Sequence, residues 1–83
     1  MKKDIHPEQI RAARALIGWT REDLAKESGV TVRTLVRIEN SQTVPRLATL
    51  QALTAALETA GIEFIPENGS GPGVRLARSL NRK

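Results

Sequence analysis

The feature that most constrains this chain is a corner. In "LAKESGVTVRTLVRIEN", Leu24 to Asn40, one glycine separates two short helical patterns. Neither pattern is long enough to persist alone in water, so each must be held against the other. Gly29 supplies the left-handed backbone that a turn of about three to four residues requires. Ala25 lies four residues earlier and is small enough to let the two helices cross closely. Ala25 and Gly29 are therefore predicted to be steric requirements of that crossing. Val30 plugs the core at the corner, and Leu35 and Ile38 hold the following helix from below. Thr31, Val32, Arg33, Val36 and Arg37 remain outside, a face that a helix used only for packing does not need.

The flanking sequence supplies two more helices. Apolar spacing predicts helices over about Pro7–Ile17, Arg21–Ser28, Val32–Glu39 and Pro45–Ala60. Ile10, Ala13 and Ile17 share one face of the first, with Leu16 beside them. Leu47, Leu50, Leu53 and Leu57 form the stripe of the last. Gly18 and Gly61 are read as C-caps. The helix starts repeat one device: Trp19-Thr20 before Leu24, and Val30-Thr31 before Leu35, each place an apolar residue ahead of a threonine cap and another inside the helix. Thr20 with Asp23 approximates a capping box. Ile5-His6-Pro7 before Ile10 is a weaker version with proline at the favoured first turn.

Beyond Gly61 the period changes to two. "IEFIP" and "GVRLA" flank the turn-rich "ENGSGPG", which reads as a β-hairpin with a seven-residue loop. The organisation is then a helical unit over residues 1–61, a hairpin over 62–77 and a basic tail over 78–83. The fold class is mainly α: four helices of helix-turn-helix type followed by a C-terminal hairpin.

Composition narrows the function. The 83 residues suffice for one domain, and a domain of this size is marginal alone. There is no cysteine and one histidine, which argues against a disulfide, a thiolate site or structural zinc, and no cofactor is expected. No apolar run approaches a membrane span, and the start "MKKDIHPEQI" lacks the apolar region of a signal peptide. The chain is expected to be cytoplasmic, and at the nucleoid when bound to DNA. Thirteen Lys and Arg against nine Asp and Glu give a net charge of +4, which favours a polyanionic partner but also fits a solvated basic surface. An enzyme is disfavoured. His6 has no evident nucleophile partner, and "ENGSGPG" lacks the lysine and the strand–loop–helix setting of a phosphate loop.

The spacing of Arg14, Gly18, Leu24-Ala25, Gly29-Val30, Leu35 and Ile38-Glu39 resembles the Cro/repressor-type helix-turn-helix family, also called the xenobiotic-response-element family, over about Ile10–Leu57. The resemblance implies operator binding, a homodimer on double-stranded DNA and a role in transcription. It implies base-facing positions at Thr31, Val32, Arg33 and Arg37, and backbone-holding positions at Thr20, Arg21, Asn40 and Arg46. It also implies a partly buried Arg14–Glu39 ion pair; by the residues alone both side chains could be solvated. Thr31 reads first as an N-cap, whose hydroxyl could also reach a phosphate. Two positions depart from the family: Arg21 and Val32 stand where glutamine is frequent. Arg21 can still meet a phosphate, whereas Val32 cannot donate to a base. The hairpin replaces a fifth helix.

The expectation is a dimeric regulator, a repressor by preference, reading a palindromic operator. Ile62, Phe64, Ile65, Val74 and Leu76 on the hairpin are expected to make the dimer, with the fourth helix as the rival surface. The alternative class is an antitoxin that combines DNA binding with docking of a partner toxin. A bridging protein that binds no DNA is a third.

Overall fold

The computed structural model of the chain describes residues 5–77. The basic tail at 78–83 lies outside the described residues. Four helices, α1 (Pro7–Ile17), α2 (Arg21–Ser28), α3 (Val32–Glu39) and α4 (Leu47–Thr59), precede strands β1 (Ile62–Ile65) and β2 (Gly73–Leu76).

The short helices are fixed at their ends by their own residues. Thr20 Oγ1 accepts from the Asp23 N–H at 3.0 Å and Asp23 Oδ2 accepts from the Thr20 N–H at 2.9 Å, the reciprocal box that the spacing implied. Thr31 Oγ1 accepts from the Thr34 N–H at 3.1 Å and starts α3 in the same way. At the other end of α1, Gly18 takes φ +69°, and the Trp19 N–H reaches back to the Arg14 carbonyl at 2.9 Å.

At the corner itself Gly29 has φ +82° and its N–H bonds the Ala25 carbonyl at 2.8 Å. A Cβ built on Gly29 would meet nothing within 4 Å. The glycine is thus required for backbone handedness and not, as the sequence suggested, for space at the crossing. Ala25 is half-buried against the core. The end of α3 shows the same geometry with a less suitable residue. Ser41 sits at φ 59°, with the Gln42 N–H on the Arg37 carbonyl at 2.8 Å and the Ser41 N–H on that of Ile38 at 3.0 Å.

The fourth helix is shorter than its pattern. It begins at Leu47 because Arg46 is extended, at φ −69° and ψ 154°, directly after Pro45. It ends at Thr59, closed by Ala60, and Gly61 follows one residue later at φ 106°. Leu47 therefore sits at the helix tip, 61% exposed, and the inward stripe begins at Leu50. The core joins Ile10 and Ala13 of α1, Leu24 of α2, Leu35 and Ile38 of α3, Leu53 and Leu57 of α4, and Ile62 of β1.

The two strands pair antiparallel, Ile62 with Leu76 through Ile65 with Gly73, around a loop at 66–72. The hairpin is shared between two helices: β1 lies on α4, and β2 lies on α1. The α1 contact has a polar pin. The buried Gln9 side chain donates from Nε2 to the Ile65 carbonyl at 3.3 Å and the Gly73 carbonyl at 3.0 Å, while its Oε1 accepts from the His6 N–H at 2.8 Å. One side chain thus caps α1 and ties down both strands.

The hydrogen-bond phase of the ladder follows from the Ala77 N–H, which bonds the Gly61 carbonyl at 2.7 Å. Bonded and non-bonded pairs alternate in an antiparallel ladder. Glu63–Arg75 and Ile65–Gly73 therefore bond inward, and the backbone groups of Ile62, Phe64, Val74 and Leu76 point to the strand edges. Their side chains do the opposite: Ile62 is buried, and Phe64, Val74 and Leu76 pack on the core.

The two left-handed termini give opposite expectations. Gly29→Val should destabilise by about 1–2 kcal/mol, the cost of a side chain in that conformation. Ser41→Gly should stabilise by about 0.5–1 kcal/mol, because glycine removes that cost and gives back part of it as chain entropy. Thermal melts of the two variants check both signs.

Candidate nucleic-acid interface

The arginines divide into two sets. Glu39, the last residue of α3, is fully buried, and its carboxylate is shared by Arg14 and Arg21. Arg14 grips it with two parallel bonds, Nε to Oε2 and Nη2 to Oε1, both 2.8 Å, and also donates from Nη1 to the Trp19 carbonyl at 3.1 Å. Arg21 adds Nε to Oε1 at 2.9 Å. Arg11, one turn before Arg14, donates to the Glu39 main-chain carbonyl. Burial alone would push the Glu39 carboxyl up; the hydrogen bonds and charges of Arg14 and Arg21 outweigh it and hold the group below its ordinary value. Arg75 is engaged too, with Glu63 directly across the ladder at 3.0 Å.

Arg33, Arg37 and Arg46 form the other set. None has an ion-pair partner among the described residues, and all three are exposed. They stand on α3 and at the cap of α4, and from Ser28 to Leu57 the sole acidic residue in the sequence is the buried Glu39. Exposed cations without ion-pair partners favour an anionic ligand. Arg37 and Arg46 also line one polar cleft, together with Thr34, Thr43 and Thr49.

Each residue picked from the sequence has a place. Thr31, Arg33 and Arg37 are exposed on or at the start of α3, Val32 and Val36 are half-buried there, and Asn40 is exposed just past its end. Thr20 caps α2 with its hydroxyl as acceptor, which leaves its proton to donate. Arg21 is not the free phosphate ligand it resembled: its Nε is held by Glu39, and what remains outward is the rest of its guanidinium, with the side chain 35% exposed. The Thr31 hydroxyl donates to Thr34 Oγ1 at 3.0 Å, so the proton available to a ligand belongs to Thr34. The strand residues Ile62, Phe64, Val74 and Leu76 face inward to the core, and Ile65 lies on the hairpin's other face.

Sequence reasoning missed Thr34, Thr43 and Thr49 in the cleft, Arg11 on the α3 terminus, and Gln9. The last had a signal: Gln9 stands three residues after His6, the spacing of a reciprocal cap. No helix of the described residues is long and apolar enough to cross a membrane.

The comparisons with known proteins agree with this geometry. A family described as helix-turn-helix matches residues 10–64. The uncharacterized HTH-type transcriptional regulator YazB of Bacillus subtilis (strain 168) is 35% identical over 66 residues, covering 80% of this chain and 96% of that protein.

The shared carboxylate sets a measurable expectation. Glu39→Gln should cost about 3 kcal/mol, the lower end for removing one partner of a buried pair, because both arginines keep some solvent. A depressed carboxyl stabilises the fold above its ordinary value of 4.5, and that stability is lost as pH falls through the lower folded value. The gap in melting temperature between wild type and variant should therefore be full near neutrality and should close as the solution is acidified below that ordinary value.

Proposed function

The chain belongs to the helix-turn-helix family, and from that premise we propose that it is a dimeric, DNA-binding transcriptional repressor of the cytoplasm. The observation that carries the reading is the division of the arginines: among the described residues three lack ion-pair partners, and all three lie on α3 or at the start of α4. In this reading α3 enters the major groove. Arg33 and Arg37 meet base edges, and Thr31 and Val32 lie at its leading end. Thr20, Asn40, Arg46 and the outward part of Arg21 hold phosphates.

The hairpin makes the dimer through its backbone. Two hairpins pairing edge to edge about a two-fold axis give one four-stranded sheet. The outward amides and carbonyls of Ile62, Phe64, Val74 and Leu76 support this, with Ile65 adding apolar surface outside. Such a dimer sets two recognition helices about 34 Å apart for a palindromic site. Docking of a toxin would draw on α4 and the same hairpin. The hairpin's apolar face is spent on the chain's own core, so the regulator reading has more support.

Selection of bound DNA from a random pool tests the reading. On the selected site, Arg33→Ala and Arg37→Ala should each weaken specific binding by about 1–3 kcal/mol with little change in melting temperature. Arg46→Ala should weaken binding to selected and random DNA alike, and should lower the salt slope by about one unit. Failure to enrich any sequence defeats the proposal.

Removing the hairpin would take Ile62 out of the core, so the edges are better tested by proline. Phe64→Pro and Val74→Pro each delete one outward amide, one on each edge, and leave the inward bonds of Glu63 and Arg75 in place. Sedimentation should show wild type as a dimer and one of the two variants as a folded monomer. If both stay dimeric, the interface moves to α4.

A further inference from the structure

The two valines of α3 have no assigned partner. Val32 and Val36 lie one turn apart, which stacks them on one stripe of the helix. Both are half-buried, yet neither packs against the core cluster, whose α3 members are Leu35 and Ile38. The exposed Arg33 and Arg37 follow them in sequence at each turn, so an apolar strip runs beside two cations without ion-pair partners. The strip is half-buried and aliphatic, and its edge carries charge that no described residue neutralises. The combination fits a surface whose border is anionic and whose interior carries apolar points. Duplex DNA is such a surface: in the major groove the apolar group on the base edges is the C5-methyl of thymine.

We propose that Val32 and Val36 together form a seat for one thymine methyl, so that this chain reads a thymine through shape where a hydrogen-bonding side chain would read donors and acceptors. The inference rests on the DNA-binding reading above and deepens it. Val32 has no polar atom in its side chain, so what it can discriminate is the presence of the methyl. Val36 supplies the second wall, and Arg33 fixes the register by its own contact. The methyl leaves water on binding, and so do the valine γ-methyls.

The experiment changes one methyl at a time. The full chain selects a site from a random pool. Each thymine of that site is then replaced by deoxyuridine, which deletes the methyl and leaves every base-pairing and hydrogen-bonding group in place. Wild type should lose about fourfold in affinity at one thymine of the half-site, equivalent to about 0.8 kcal/mol at 1.4 kcal/mol per tenfold. Val32→Ala and Val36→Ala should bind the thymine and uracil sites nearly equally, and circular dichroism should show both folded, because neither valine belongs to the buried core. Val32→Thr, which keeps the branch and one methyl, should retain part of the preference. An enriched site that tolerates uracil at every thymine overturns this proposal alone and leaves DNA binding standing. A uracil effect that persists undiminished in both alanine variants also overturns it, because the methyl is then read by another side chain. A pool that yields no enriched sequence defeats the DNA-binding reading and this proposal with it.

Discussion

The Glu39 carboxylate, buried at the end of α3 and shared between Arg14 of α1 and Arg21 of α2, fixes how three helices stand to one another. Apolar packing by Leu35 and Ile38 holds α3 to the core but is tolerant of rotation and slip, because dispersion is not directional. A bidentate guanidinium is not tolerant. The fork of Arg14 sets the angle, Arg21 sets the distance to the start of α2, and Arg11 on the Glu39 carbonyl closes the helix end. The outward side chains of α3 thereby keep a fixed register. Here that register is enforced from the buried side, by charge, at the residue where the helix stops.

The same arrangement explains how charge is partitioned in a small basic protein. A guanidinium near a buried carboxylate becomes structure, and one without such a partner stays available to a ligand. Helix ends are treated alike: the hydroxyls of Thr20 and Thr31 satisfy their own backbones first. Among the described residues, what the fold leaves unspent includes Arg33, Arg37 and Arg46, the proton of Thr34 and the outward part of Arg21. The interface is defined as much by what the fold consumes as by what lies on its surface.

Much of this was legible in the sequence, for local reasons. The bounds of α1, α2 and α3 follow from caps and glycines that act within a few residues, so a single sequence is enough to place them. The start of α4 was not legible, because Pro45 is compatible with a first helical turn, and the extended Arg46 after it breaks the pattern. Gly29 was located correctly and its left-handed backbone foreseen, but the steric role added to it was not needed: periodicity reveals a corner but not whether the corner is crowded. Long-range polar contacts were the least visible. Nothing near Arg21 in sequence indicates that its Nε is taken by Glu39. Nothing near Gln9 indicates that two strands late in the chain will accept from it. Which cations are free, and so which can bind, is a property of the assembled fold.

The Gln9 pin has a consequence for the order in which structure is acquired. Its bond to Gly73 closes a separation of 64 residues, whereas the caps of α2 and α3 close three. Loop closure of that span costs entropy that must be met before the contact repays it. The corner between α2 and α3 is local and can form as soon as its residues are made. The first helix and the last strands lock together only when nearly the whole described chain is present. In a chain emerging from the ribosome, the residues of α3 are available to fold before those of the hairpin, and the clasp that joins α1 to the hairpin cannot close until β2 has been made.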